Sequence, residues 1–166
     1  MTPREVSSTA PNNVAKIPNW VAWTLTPDHA IGCVVRTNAF AADQSLPVAQ
    51  RSDPKDYAAS GYDQGHLANA ADWAFDCQKD EKTFRFYNAL PQTPNLNRGV
   101  WRLLEVHERE LAKHTKIEVI VKVTFGTEKL KTGATVPTGF YKEIIGNGIN
   151  ECYYFKNERP ESSDYN

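Results

Sequence analysis

Between Ile117 and Phe125 the apolar residues Ile117, Val119, Val121, Val123 and Phe125 alternate with a polar set that includes Glu118, Lys122 and Thr124, and Gly126 follows. A repeat of two over nine residues puts one apolar edge on a strand, whereas a helix would scatter the same residues around its axis. The pattern predicts a central strand that ends at Gly126, and with it a sheet that needs a core against one face. Just upstream, Val100, Trp101, Leu103, Leu104 and Leu111 fall at helical spacings, with Asn97 and Gly99 before them, which predicts a helix over Val100 to Lys113. Downstream, Val136 to Ile145 and Cys152 to Phe155 read as strands joined through Gly146-Asn147-Gly148, a hairpin signal. Near the start, Trp20, Ala22 and Thr24 alternate with Val21, Trp23 and Leu25 between Pro18 and Pro27. Pro27-Asp28-His29 supplies a turn, and Ile31 to Arg36 reads as the return strand of an antiparallel pair. The architecture expected is α+β, an antiparallel sheet with few helices.

A length of 166 residues allows one domain, and 40% hydrophobic residues supply a core for it. Residues 1–13, rich in Ser, Thr, Pro and Asn, read as a loosely held, flexible arm, which leaves 14–166 as a single domain. Lys and Arg number 19 against 20 for Asp and Glu, a net charge of -1, so no global basic field invites a polyanion and any such site must be local. No apolar run approaches the roughly 18 residues of a membrane helix, so no membrane partner is expected. Met1 to Val14 contains no leader-like apolar segment. The expected location is secreted or periplasmic with the leader removed, an intracellular one staying open. Three cysteines, Cys33, Cys77 and Cys152, are too few for a disulfide scaffold; one disulfide with a free thiol and three thiols are both compatible with the sequence.

Residues 41 to 62 carry Asp43, Pro47, Ser52, Asp53, Pro54 and Gly61 without sustained periodicity and predict a long irregular excursion, the kind of loop that is usually functional. Gly61-Tyr62-Asp63-Gln64-Gly65-His66-Leu67-Ala68 then presents a His beside an acid, an amide and two glycines, which on its own describes no more than a turn. Asn88 to Trp101 concentrates Asn and Pro immediately before the helix, where Asn97 could serve as a cap. His107 and His114 lie among Glu108, Arg109, Glu110 and Lys113 and read as a solvated face. Trp20 and Trp23 read as core residues, and His29 as part of a turn.

Taken together, Asp63-Gln64-Gly65-His66 and Pro91-Gln92 followed by Asn97-Arg98-Gly99-Val100-Trp101 closely resemble the DNA/RNA non-specific endonuclease family, the ββα-metal or His-Me finger nucleases that include mitochondrial endonuclease G and secreted bacterial nucleases. The likeness runs from about Trp20 to about Tyr141, with Asp56-Tyr57 and Ser60-Gly61-Tyr62 also fitting. It implies a ββα-metal finger within the α+β fold and an enzyme that cuts DNA and RNA phosphodiesters to leave 5′-phosphate ends. By resemblance His66 is the general base, Asn97 holds Mg²⁺ (with Mn²⁺ as a substitute), Asn88 orients the base or the reacting phosphate, and Glu105 organises metal-bound water. Arg51 resembles a phosphate-contacting Arg of the family. Gln64 stands where the family usually has Arg, and it offers hydrogen bonds without the charge or the bidentate fork.

The chemistry of the reaction agrees with these residue types. Water must be deprotonated near neutral pH, where imidazole titrates. Charge on the transition state and leaving oxygen can be met by a hydrated Mg²⁺ held through few protein ligands. Two rival classes remain at this level: a nucleic-acid-binding or partner-binding relative with little turnover, motivated by Gln64, and the toxin domain of a secreted effector. The partners expected are DNA and RNA through their phosphate backbones, with a homodimer and an inhibitor or immunity protein as further candidates.

Overall fold

A computed structural model describes residues 8–12, 14–30, 40–76, 80 and 82–159. The alternating segment is a strand at the centre of a five-stranded antiparallel sheet. In chain order the sheet strands are β1 (Ser8–Asn12), β2 (Ile17–Leu25), β5 (Ile117–Lys129), β6 (Thr135–Gly146) and β7 (Ile149–Lys156), and they lie side by side in that same order. β3 (Asp63–His66) and β4 (Ala89–Gln92) form a separate two-stranded ribbon.

The inner sheet face carries Val21, Trp23 and Leu25 from β2, Ile117, Val119 and Val121 from β5, and Phe140 and Ile144 from β6, all buried. Each large apolar side chain fully buried in this way contributes about 1.5–3 kcal/mol before entropy is counted. The helix α3 (Arg102–Ala112) lies over that face and buries Leu104, Glu108 and Ala112. Glu108 meets Lys142 of β6 at 2.7 Å, and both side chains are fully buried. The Lys142 ammonium also sits 4.5 Å from the Trp101 ring and 5.4 Å from the Trp23 ring, so two indole faces share its desolvation.

Several sequence expectations are refined. β5 does not stop at Gly126 but runs on to Lys129, because β6 returns along it after an irregular step at Thr124/Phe125. The hairpin between β6 and β7 turns where the sequence signals it, with Gly148 at φ 74°. Pro27–Ala30 is a short 3-10 turn, and the return strand expected over 31–36 lies outside the described residues. The segment read as an arm includes β1, which pairs with β2 at the sheet edge. The 41–62 excursion contains a 3-10 turn at Val48–Gln50 and the single-turn helix α1 (Pro54–Tyr57), closed by a capping box between Asp53 and Asp56.

The helix expected over 100–113 starts differently. Thr93 precedes α2 (Pro94–Leu96), a wide turn spans Asn97–Trp101 with a non-helical Gly99 (φ -97°, ψ -114°), and α3 follows. Asn97 therefore has helical dihedrals (φ -59°, ψ -46°) and closes α2 as its C-cap; it does not open a helix as an N-cap. Trp101 and Leu104, three residues apart on one helical face, are buried, while Val100 and Leu103 face out.

Cys152 is an exposed free thiol on β7; Cys33 and Cys77 lie outside the described residues. No helix among the described residues is long and apolar enough to cross a membrane.

Candidate active site

The order strand, strand, helix places the two motifs against each other. In the β3–β4 ribbon Asp63 faces Gln92, Gln64 faces Pro91, Gly65 faces Leu90 and His66 faces Ala89. Directly opposed residues share a face and neighbours alternate, so Gln64 and His66 project from one side while Asp63 and Gly65 belong to the other. A Cβ at Gly65 would collide with the buried Gln92 side chain, which explains a glycine between Gln64 and His66. Proline at 91 is tolerated because this short ribbon has free edges. The buried Asn157 holds the ribbon to the main sheet: its Nδ2 donates to the carbonyls of Pro91 and Pro137, each at 2.9 Å, and its Oδ1 accepts from Thr93 N at 2.8 Å.

His66 is 6% exposed. Its ring lies 5.0 Å from Phe40 and 4.8 Å, edge-on, from Phe84. Its carbonyl accepts from Trp101 Nε1 at 3.1 Å, which fixes the ribbon end to the start of α3. Asn88 is buried, and its side chain spends both Nδ2 protons on Ala68 O (2.8 Å) and Thr83 O (2.9 Å), while Oδ1 accepts from Ala68 N at 2.9 Å. Two of these three contacts go to Ala68, so Asn88 braces the segment that follows His66.

Asn97 and the neighbouring Arg98 converge on Asp63. Asn97 Nδ2 donates to Asp63 Oδ2 at 2.9 Å, and Arg98 forks the same carboxylate through Nε (2.8 Å) and Nη2 (2.7 Å). Burial pushes the Asp63 carboxyl up, but the Arg98 and Asn97 hydrogen bonds and the Arg98 charge together outweigh it and hold the group below its usual range. Asn97 Oδ1 accepts no hydrogen bond among the described residues and is a free hard-oxygen donor beside the ribbon. Among the described residues no cluster of three His, Cys, Asp or Glu could hold a metal. This donor set suits a cation that keeps most of its water, as Mg²⁺ does, and not one caged by protein ligands.

The remaining sequence candidates divide. Gln64 is half-buried on the His66 face and its side chain makes no hydrogen bond among the described residues. Glu105 is half-buried in the first turn of α3, and the non-helical Gly99 means the separation of about 12 Å that a regular helix would give from Asn97 does not apply. Arg51 lies elsewhere, in a groove with Lys16, Asp43, Gln50 and Tyr87, and its Nη1 donates to Gln44 Oε1 (2.8 Å) and Leu46 O (3.4 Å). None of its bonds reaches Gln64, His66 or Asn97. His107 pairs with Glu151 at 2.8 Å, and His29 stacks on Phe75 at 4.1 Å; neither joins the site. Sequence reasoning gave no role to Asp63, Arg98 or Trp101, although an acid in one motif and an Arg in the other were a usable signal of opposite charge.

A family profile described as DNA/RNA non-specific endonuclease matches residues 4–165. The chain belongs to that family. Among its relatives, a nuclease of Nostoc sp. is 37% identical over 137 residues, covering 81% of this chain and 50% of its own length. Human mitochondrial endonuclease G is 36% identical over 95 residues, 57% of this chain and 32% of its own length. A Serratia marcescens nuclease is 29% identical over 180 residues, 93% and 63% respectively. A chain of the crystallised EndoG/EndoGI complex superposes with a TM-score of 0.82 at 26% identity over 95% of this chain and 74% of that one. This non-specific endonuclease fold is therefore the α+β, antiparallel-sheet architecture expected from the sequence. The chain spans from about a third to under two thirds of the length of these curated relatives.

Proposed function

We propose that this chain is a Mg²⁺-dependent, sugar-non-specific endonuclease that hydrolyses DNA and RNA phosphodiesters, with Mn²⁺ as a working substitute. The observation that carries the reading is that His66, on the ribbon, and the free Oδ1 of Asn97, on the helix start, belong to one hydrogen-bonded unit, the helix start being bound to the ribbon through Asp63 and Trp101. His66 accepts a proton from the attacking water, the role that imidazole fills near neutral pH. The Phe40 and Phe84 rings restrict its orientation, and Asn88 secures the backbone behind it.

Asn97 Oδ1 would hold the ion, with Glu105 acting on the water around it. When bound, Mg²⁺ supplies positive charge to the developing negative charge on phosphate and leaving oxygen. Gln64, on the His66 face, hydrogen-bonds a substrate phosphate without charge; Arg51 serves as a more distant backbone contact. Contacts confined to phosphate and sugar carry no sequence preference. Membership of the family supports this reading.

The test is degradation of plasmid DNA and of RNA with Mg²⁺ and with EDTA. Cleavage of both that EDTA stops supports the proposal; binding of either without any metal-dependent turnover overturns it.

A further inference from the structure

A carboxamide can serve as a metal ligand only if it is turned the right way. Its two ends have nearly the same shape, but one is an acceptor oxygen and the other an NH₂ group that offers a cation nothing. Packing alone hardly distinguishes them, so a polar neighbour must. Asp63 Oδ2 stands 2.9 Å from Asn97 Nδ2. An ionised carboxylate can only accept, so it takes the NH₂ end; turning the amide over would set two oxygens against each other with no proton between them. The carboxylate is itself immobilised, since the Arg98 guanidinium holds both of its oxygens in a planar fork. The Asp63 side chain is 17% exposed and Arg98 72%, so the clamp closes from the solvent side over a shielded acceptor.

We propose that Asp63 is a positioning residue that fixes the amide of Asn97 with its oxygen toward the metal, and that Arg98 is the brace that holds Asp63 in place. The proposal rests on the reading of Asn97 as the metal ligand. It assigns the first residue of the Asp63-Gln64-Gly65-His66 motif to the metal side of the site while the last acts on water, with the two side chains on opposite faces of one strand. It also means that the Arg98 charge is engaged within the protein and does not replace the cation missing at Gln64.

A purely structural staple between ribbon and helix would predict a loss of stability alone. Asp63→Asn keeps the shape but offers both a donor and an acceptor, so either orientation of Asn97 is accommodated. Mn²⁺ binding to the full chain, followed by electron paramagnetic resonance, reads the difference alongside thermal melting. Asp63→Asn should weaken Mn²⁺ binding by about 10- to 100-fold, as for other partners that orient metal ligands, and Arg98→Ala by less. On an Asn97→Ala background, Asp63→Asn should add nothing.

Wild-type affinity in a folded Asp63→Asn protein, with Asn97→Ala binding poorly, overturns the positioning role and leaves the ligand assignment standing. Unchanged affinity in Asn97→Ala overturns the ligand assignment and this proposal with it. Because Asp63→Asn could fail to fold, the wild-type protein supplies a second measurement. One exchange-protected Asn97 Nδ2 proton in nuclear magnetic resonance supports the proposal, and two freely exchanging protons overturn it.

Discussion

Trp101 Nε1 donates to the backbone carbonyl of His66 across 3.1 Å, with both residues buried. One hydrogen bond thus ties the His66 peptide to the helix that follows Asn97, and the same indole lies 4.5 Å from Lys142 and 5.5 Å from Phe140 on the sheet. Ribbon, helix and sheet meet at a single side chain.

Trp101→Phe retains most of the packing and removes the donor. It removes that hydrogen bond from the His66 carbonyl, at a cost of about 0.5–1.5 kcal/mol, and it frees the ribbon end. The expected result is a lower melting temperature together with a fall in kcat larger than any change in KM, measured by calorimetry and steady-state cleavage.

The buried pair of Glu108 and Lys142 should show the asymmetry typical of desolvated charges. Lys142→Met alone leaves a carboxylate with no counter-ion and should cost about 3–5 kcal/mol, whereas Glu108→Leu combined with Lys142→Met should come close to the wild-type stability in urea melts. A double variant as unstable as the single one would contradict this.

Burial pushes the Glu108 carboxyl well above its usual range, with the Asp72 charge adding to the rise and Lys142 opposing it. A carboxyl raised in the folded state binds its proton more tightly there than in the unfolded chain. Its contribution to stability is therefore present at low pH and lost as pH climbs through the folded value. Glu108→Gln cannot titrate, so its denaturation midpoint should fall less than the wild type's on going from mildly acidic to alkaline pH. Parallel slopes for the two proteins would remove Glu108 as the source.

Gln64→Arg restores a cation on the face that carries His66. Substrate binding should tighten, and the log–log salt slope should steepen by about one phosphate contact. Unchanged KM and slope would show that this position does not face phosphate.

Much of this arrangement could be read from local pattern. The alternation from Ile117 and the glycines at 146 and 148 describe neighbours in sequence, and β5 and the β6–β7 turn follow them directly. The helix was legible in type, but not its entry, which the non-helical Gly99 divides into a short helix, a wide turn and α3. What pattern could not supply are pairs formed across the fold. Asp63 and Arg98 are 35 residues apart, and Glu108 and Lys142 are 34 apart. Read along the helix, Glu108 belongs to a charged, solvated face; a lysine from the sheet beneath makes it interior. For Arg51 the converse holds: its place in a loop without an anchor gave no way to know that its bonds would close on Gln44 and Leu46.

Whether His66 and a metal held at Asn97 act together is decided by single-turnover cleavage of duplex DNA by the wild type, His66→Ala and Asn97→Ala across a Mg²⁺ titration. His66→Ala should lose at least about 10²-fold in rate at every Mg²⁺ concentration while still binding DNA. Asn97→Ala should be inactive at concentrations that saturate the wild type and be rescued at best in part by excess metal. Near-wild-type cleavage by His66→Ala, or an unchanged Mg²⁺ dependence in Asn97→Ala, would show that the two residues do not act together in this way.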